Sequence, residues 1–192
     1  MNNEDDTGRP GLSEAGTDRQ QMRILRRVRQ VLSKLIPSHL WINEEEGEVR
    51  FNLAAGETLW TVRVSARPRS FIKMVSLFPT KVPEERCEAM ADALNRANAG
   101  LPPGCFEMDE YRVVTFRATI PVLTSRLDPE ALRWMLSLHG VLFERYYKAF
   151  LAVAFGGVLP AVAIGEVEKD GGEAGQEHTE EGEEAKVDPR WN

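Results

Sequence analysis

Three stretches of this chain alternate apolar and polar side chains, a spacing that only a half-buried β-strand satisfies. Val49, Phe51 and Leu53 form the first. In the second, Trp60, Val62 and Val64 oppose Thr61, Arg63 and Ser65. In the third, Val114, Phe116, Ala118 and Ile120 oppose Thr115, Arg117 and Thr119. A sheet built from such strands turns one side to a core and keeps a polar side. A fourth run, Phe71 to Phe78, is apolar on both parities, as expected of a more central strand.

Helical spacing appears on either side of these strands. Ile24, Leu25, Val28, Val31, Leu32 and Leu35 form one stripe that stops at Pro37, opposite Arg23, Arg26, Arg27 and Lys34. Pro83, followed by Glu84 and Glu85, opens a second helix with a stripe of Cys87, Met90, Ala91, Leu94 and Ala97; Gly100 and Pro102-Pro103 close it. Asp128 as N-cap and Pro129 at the first helical position begin a final helix. Its stripe is read as Ala131, Trp134, Met135, Leu138, Val141, Leu142, Tyr146, Ala149 and Val153, and Gly156-Gly157 ends it. With Trp41-Ile42 before the acidic turn at residues 43–47 and a short strand over Cys105–Met108, the order is α-β-β-β(-β)-α-β-β-α. The expected fold is α+β: an antiparallel sheet with the helices on one face.

Charge divides the chain into three. The net charge is -6, but residues 1–18 sum to -4 and residues 166–192 to -7, which leaves the span 19–165 at +5. The two ends are poor in apolar side chains and are expected to be disordered, with 19–165 as the folded domain. Apolar residues at 42% and charged residues at 28% are those of a water-soluble globular protein. The N-terminus is acidic and lacks an apolar core, so no signal peptide is expected. The apolar stretch Phe150–Gly165 is too short and too broken to span a membrane. Cys87 and Cys105 form no metal or disulfide pattern, and a cytoplasmic setting is expected.

Chemistry is scarce. Ser70-x-x-Lys73 matches a serine-hydrolase motif, but it enters a strand instead of opening a helix, and a chance match is expected. His39, His139 and His178 lie on separate elements, which argues against a metal site; His139, next to the last helix's stripe, reads as a flanking or core-edge residue. Glu44, Glu45, Glu46 and Glu48 crowd a solvated turn, and no phosphate-binding glycine loop occurs. No catalytic, cofactor or metal residues are expected, and the chain is read as a non-enzymatic protein.

Two surfaces stand out instead. The polar parity of the sheet, with Arg63, Arg117, Thr115 and Thr119, could receive a partner chain. Trp134, Phe143, Tyr146, Tyr147 and Phe150 on the last helix serve either a homodimer contact or the core. The basic side of the first helix leaves open an alternative, nucleic-acid binding.

The blocks Val82-Pro83-Glu84-Glu85, Leu94-Asn95-Arg96-Ala97-Asn98-Ala99-Gly100-Leu101-Pro102-Pro103-Gly104 and Phe106-Glu107-Met108-Asp109 resemble the middle of the YbjN-like bacterial proteins. So do Arg117-Ala118-Thr119-Ile120-Pro121-Val122 and Phe155-Gly156-Gly157-Val158, in order and spacing over residues 22–165. The resemblance implies a fold similar to the small dimeric chaperones of type III secretion and a sensory-transduction regulator label. It supplies no catalytic residues. A cytoplasmic, protein-binding adaptor or chaperone-like regulator, dimeric and without cofactor, is the reading it favours. The acidic tail and the charged N-terminus depart from a bare family domain.

Overall fold

A computed structural model describes residues 14–36, 39–43, 45–55, 58–67, 71–101, 103–122 and 127–176. Six strands form a single antiparallel sheet: β1 (Trp41–Asn43), β2 (Glu48–Ala55), β3 (Thr58–Arg67), β4 (Phe71–Lys81), β5 (Cys105–Met108) and β6 (Val113–Pro121). Their spatial order is β1-β2-β3-β4-β6-β5, so the run that is apolar on both parities, β4, lies inside the sheet with β3 and β6 as neighbours.

Register aligns the apolar parity of every strand. Val49 pairs with Val64, Val64 with Met74 and Met74 with Ala118; the next row runs Phe51, Val62, Ser76, Phe116 and Phe106. Three helices cover that side: α1 (Glu14–Leu35) over β2 and β3, α2 (Cys87–Asn98) beside β5, and α3 (Pro129–Phe155) over β6, β4 and β2. A fourth helix, α4 (Pro160–Gln176), rests on α2 and α3.

Local chemistry sets the joints. Asp128 caps α3 by accepting the Glu130 N–H at 2.9 Å, with Pro129 behind it, as the sequence predicts. At the other end Gly157 adopts a left-handed φ of 67° and the Val158 N–H returns to the Ala152 carbonyl. Arg86 then donates from Nε and Nη2 to the Val153 carbonyl at 2.9 and 2.7 Å, and from Nη2 to that of Val158 at 3.3 Å. Residues 84–86 form a short 3₁₀ turn before α2, so Pro83 opens that turn and not the α-helix itself. At the β5 edge, the Asn98 carboxamide donates to the Phe106 carbonyl at 2.9 Å and accepts from its N–H at 2.8 Å. Both backbone groups of one antiparallel-strand residue point the same way, so Asn98 occupies the place of a further strand.

Several expectations are corrected. α1 begins at Glu14, inside the segment read as disordered, and α4 continues past Gly165 to Gln176 where a tail was expected. The glycines of α4 concealed its helical pattern, and its stability comes from burying Ala163 and Ile164. In α2 the stripe passes through Ala93, not Ala91. In α3 it runs through Leu132, Met135, His139, Leu142 and Phe143, leaving Trp134 and Val141 53% and 60% exposed. Residues 1–13 and 177–192 lie outside the described residues, as do Ser70 and His178.

Candidate functional site

Among the described residues, no helix covers the other side of the sheet. One row crosses it from edge to edge: Trp41 opposite Arg50, Arg50 opposite Arg63, Arg63 opposite Val75, Val75 opposite Arg117, and Arg117 opposite Cys105. Beside it lie Asn43, Glu48, Ser65, Lys73 and Thr119, and on the other flank Asn52, Thr61, Leu77, Thr115 and Glu107. Arg63 and Arg117 are therefore two strand spacings apart, about 10 Å, across Val75.

Its cations fall into two kinds. Arg117 is held by Glu107, with Nε–Oε1 and Nη2–Oε2 both at 3.0 Å, and its Nη2 reaches Cys105 Sγ at 3.5 Å. Arg50 is held by Glu48 and by Glu46, the latter at 2.8 Å. Hydrogen bonding to Glu107 and to Glu48 holds each guanidinium above the ordinary arginine range. Arg63 and Lys73 have no hydrogen-bond or ion-pair partner among the described residues, and Arg63 Nε is shielded from water with nothing to donate to. Three large apolar side chains on this parity remain exposed: Trp41, Leu59 and Phe71.

The four sheet residues expected to receive a partner, Arg63, Arg117, Thr115 and Thr119, do share this side. Thr119 is exposed, but Thr115 is buried between Leu77 and Glu107 and offers little surface. Arg50, Lys73, Trp41, Leu59 and Phe71 belong to the same surface. The parity of their strands marks them in sequence, but the register that joins them is a tertiary property.

The aromatic residues of α3 divide differently. Phe143, Tyr146 and Phe150 are buried in the core, where Phe143 stacks on Trp60 at 4.6 Å and Tyr146 and Phe150 meet Phe106 at 5.3 and 5.0 Å. Tyr147 is half-buried against Phe78. Of the five, only Trp134 stands out in solvent, so the expected aromatic contact surface reduces to that residue.

His139, read as a core-edge residue, has no solvent exposure at all. Its Nδ1 lies 2.9 Å from Ser76 Oγ, which also accepts from Trp60 Nε1 at 3.2 Å. Burial pushes the imidazole down to about 3. The trio is enclosed in the core, away from the open row.

Among the described residues, no group of three or more His, Cys, Asp or Glu could hold a metal ion. None of their helices is long and apolar enough to cross a membrane.

No curated protein matches the chain. Among solved structures it is similar to a crystal structure titled "Crystal structure of YbjN, a putative transcription regulator from E. coli", at 13% identity and a TM-score of 0.47, covering 62% of this chain and 84% of that one. The family model described as "Putative bacterial sensory transduction regulator" matches residues 27–152, from the middle of α1 through all six strands to the last turns of α3. On that match the chain belongs to the YbjN family.

Proposed function

We propose that this chain is a non-enzymatic regulatory module of the cytoplasm that holds a partner polypeptide across the open side of its sheet and works as a homodimer. One observation carries the reading: the open face combines two cations without a partner among the described residues, Arg63 and Lys73, with exposed Trp41, Leu59 and Phe71. Cations beside exposed aromatic and aliphatic groups suit an extended segment bearing acidic and apolar side chains. The partner lies over the face as a wrapped segment, in the manner of a type III secretion chaperone. Neither cofactor nor metal takes part.

The test is capture from the native organism's cytosol with the wild-type chain and with a Arg63→Glu/Lys73→Glu variant, under nuclease, followed by mass spectrometry. A stoichiometric protein partner held by the wild type and lost by the variant is expected. Equal recovery by both would remove the open face from the account, and recovery of nothing but nucleic acid before nuclease would remove the protein partner.

A second reading rests on α1. Arg23, Arg26, Arg27, Arg29 and Lys34 are exposed along it, and none meets a carboxylate among the described residues; Arg27 bonds only Gln30. Five bases on one helix with no carboxylate partner among the described residues suit a phosphate backbone. Retention of single- or double-stranded nucleic acid that falls steeply with salt, and is lost in Arg26→Gln/Arg27→Gln, is the expected result for that reading.

A further inference from the structure

On the solvent side of α3, Arg133, Ser137, Gly140 and Glu144 recur at spacings of four, three and four, the seam spacing of a coiled coil. All four line a groove of about 430 Å³ that runs between α3 and Leu35 of α1, Leu53 and Ala54 of β2 and Trp60 of β3. Its two central positions are small, and the space where a Gly140 side chain would stand has no atom within 4 Å. Small residues in the middle of a seam let a second helix approach closely.

The seam reads the same under a two-fold rotation that lays a second α3 antiparallel to the first. With the axis between Ser137 and Gly140, Ser137 of each copy faces Gly140 of the other, and Arg133 of each faces Glu144 of the other. The rotation preserves the flanks, so Val141 of each copy lies on the same side as Trp134 of the other, about 3 Å out of level along the helix, and two exposed apolar residues of α3 come together. Among the described residues Arg133 is held within its own chain only by Glu130, a neighbour at 3.3 Å between side chains 58% and 74% exposed. Exchange of so weak a pair for an interchain one is unopposed.

We infer that this seam is a homodimer interface, in which two copies of α3 pack antiparallel with a pair of Arg133–Glu144 contacts closing the ends. The inference rests on the homodimer element of the function proposed above and assigns it a surface. It also accounts for an apolar pair, Trp134 and Val141, left in water at positions two turns apart on one helix.

Charge exchange tests it on the full chain. Light scattering over a dilution series should give twice the 21.6 kDa chain mass for the wild type. Arg133→Glu and Glu144→Arg should each shift the population to monomer, because each sets like charges opposite one another twice. The double variant should restore the dimer. Gly140→Trp, which has open space in the single chain, should block association with an unchanged circular dichroism spectrum. A wild type that stays monomeric throughout overturns both the interface and the homodimer. A dimer indifferent to the single reversals, or single-variant monomers that the double variant fails to rescue, overturns the interface and leaves the homodimer standing.

Discussion

Ser76 Oγ stands 2.9 Å from His139 Nδ1 with both side chains sealed from water. The Trp60 indole can only donate, so Ser76 accepts from it and turns its own proton to His139. With Nδ1 as the acceptor, the imidazole proton sits on Nε2, which has no partner among the described residues. His139 is neutral when folded.

Acid should therefore unfold the protein through this residue. Its folded value is about 3, below the ordinary 6.5, so the unfolded chain takes up the proton first. The stability that neutrality contributes is full above pH 6.5 and is lost as pH falls towards 3. Between neutral pH and pH 5 the loss is about 2 kcal/mol. Urea titrations at pH 7.5 and 5 should show His139→Leu less stable than wild type at 7.5, by about 1–3 kcal/mol for the stranded hydroxyl, and closer to it at pH 5. Parallel pH dependence in the two proteins would reject this account.

Asn98 should not tolerate Asp. The change keeps an acceptor for the Phe106 N–H but sets a carboxylate against the Phe106 carbonyl, which now receives a donor. A loss of about 1–3 kcal/mol is expected in thermal unfolding, smaller in acid where the carboxyl can donate again. The exchange rate of the Phe106 amide reports the same contact locally.

Gly104 has a φ of 138°, and a side chain there would meet Phe116 Cζ at 2.5 Å. Gly104→Ala should thus combine backbone strain with a displaced core ring, at a cost of about 2–4 kcal/mol. A chemical denaturation midpoint within error of wild type would show that the turn relaxes.

Tyr146 carries its hydroxyl to Glu168 of α4, and burial, then Glu168, raises it above the ordinary tyrosine range. Arg145 adds a bond to the Val167 carbonyl at 3.2 Å. Tyr146→Phe keeps the ring in the core and removes the hydroxyl, so hydrogen exchange should quicken over residues 160–168 and stay unchanged in β3 and β4. Uniform acceleration across the domain would mean that α4 does not open on its own.

Arg63→Gln should leave stability within about 0.5 kcal/mol of wild type, since the guanidinium has no partner to lose among the described residues. A Tm drop of many degrees would place an unseen contact on this side chain. A neutral result makes the substitution a clean probe of partner binding.

Period and punctuation made most of the fold legible. Alternation located β2, β3 and β6, and Asp128-Pro129 and Gly156-Gly157 bounded α3. What stayed hidden depends on neighbours. His139 interrupts an otherwise apolar stripe, so periodicity places Met135, Leu142, Tyr146, Ala149 and Val153 correctly but puts Leu138 in the place of His139 and carries Trp134 and Val141 inward. Only the indole of Trp60 and the hydroxyl of Ser76, on two different strands, make a buried imidazole tolerable there. α4 is not legible in the sequence, because Gly165, Gly171 and Gly172 argue against a helix that packing on α2 and α3 sustains. The polar side of the sheet was legible as a surface, whereas its straight row of charges required the register.

The Asn98 carboxamide has a consequence for crowding. A sheet with one bare side and a free rim can recruit copies of itself indefinitely, strand after strand, and such growth ends as fibre. Here the rim at β5 is already taken by an amide that imitates a strand and offers nothing to the next one, and the opposite rim, β1, runs for only three residues. Lateral polymerisation thus meets a residue already paired at one border and a very short strand at the other, which limits the length of template that either rim offers.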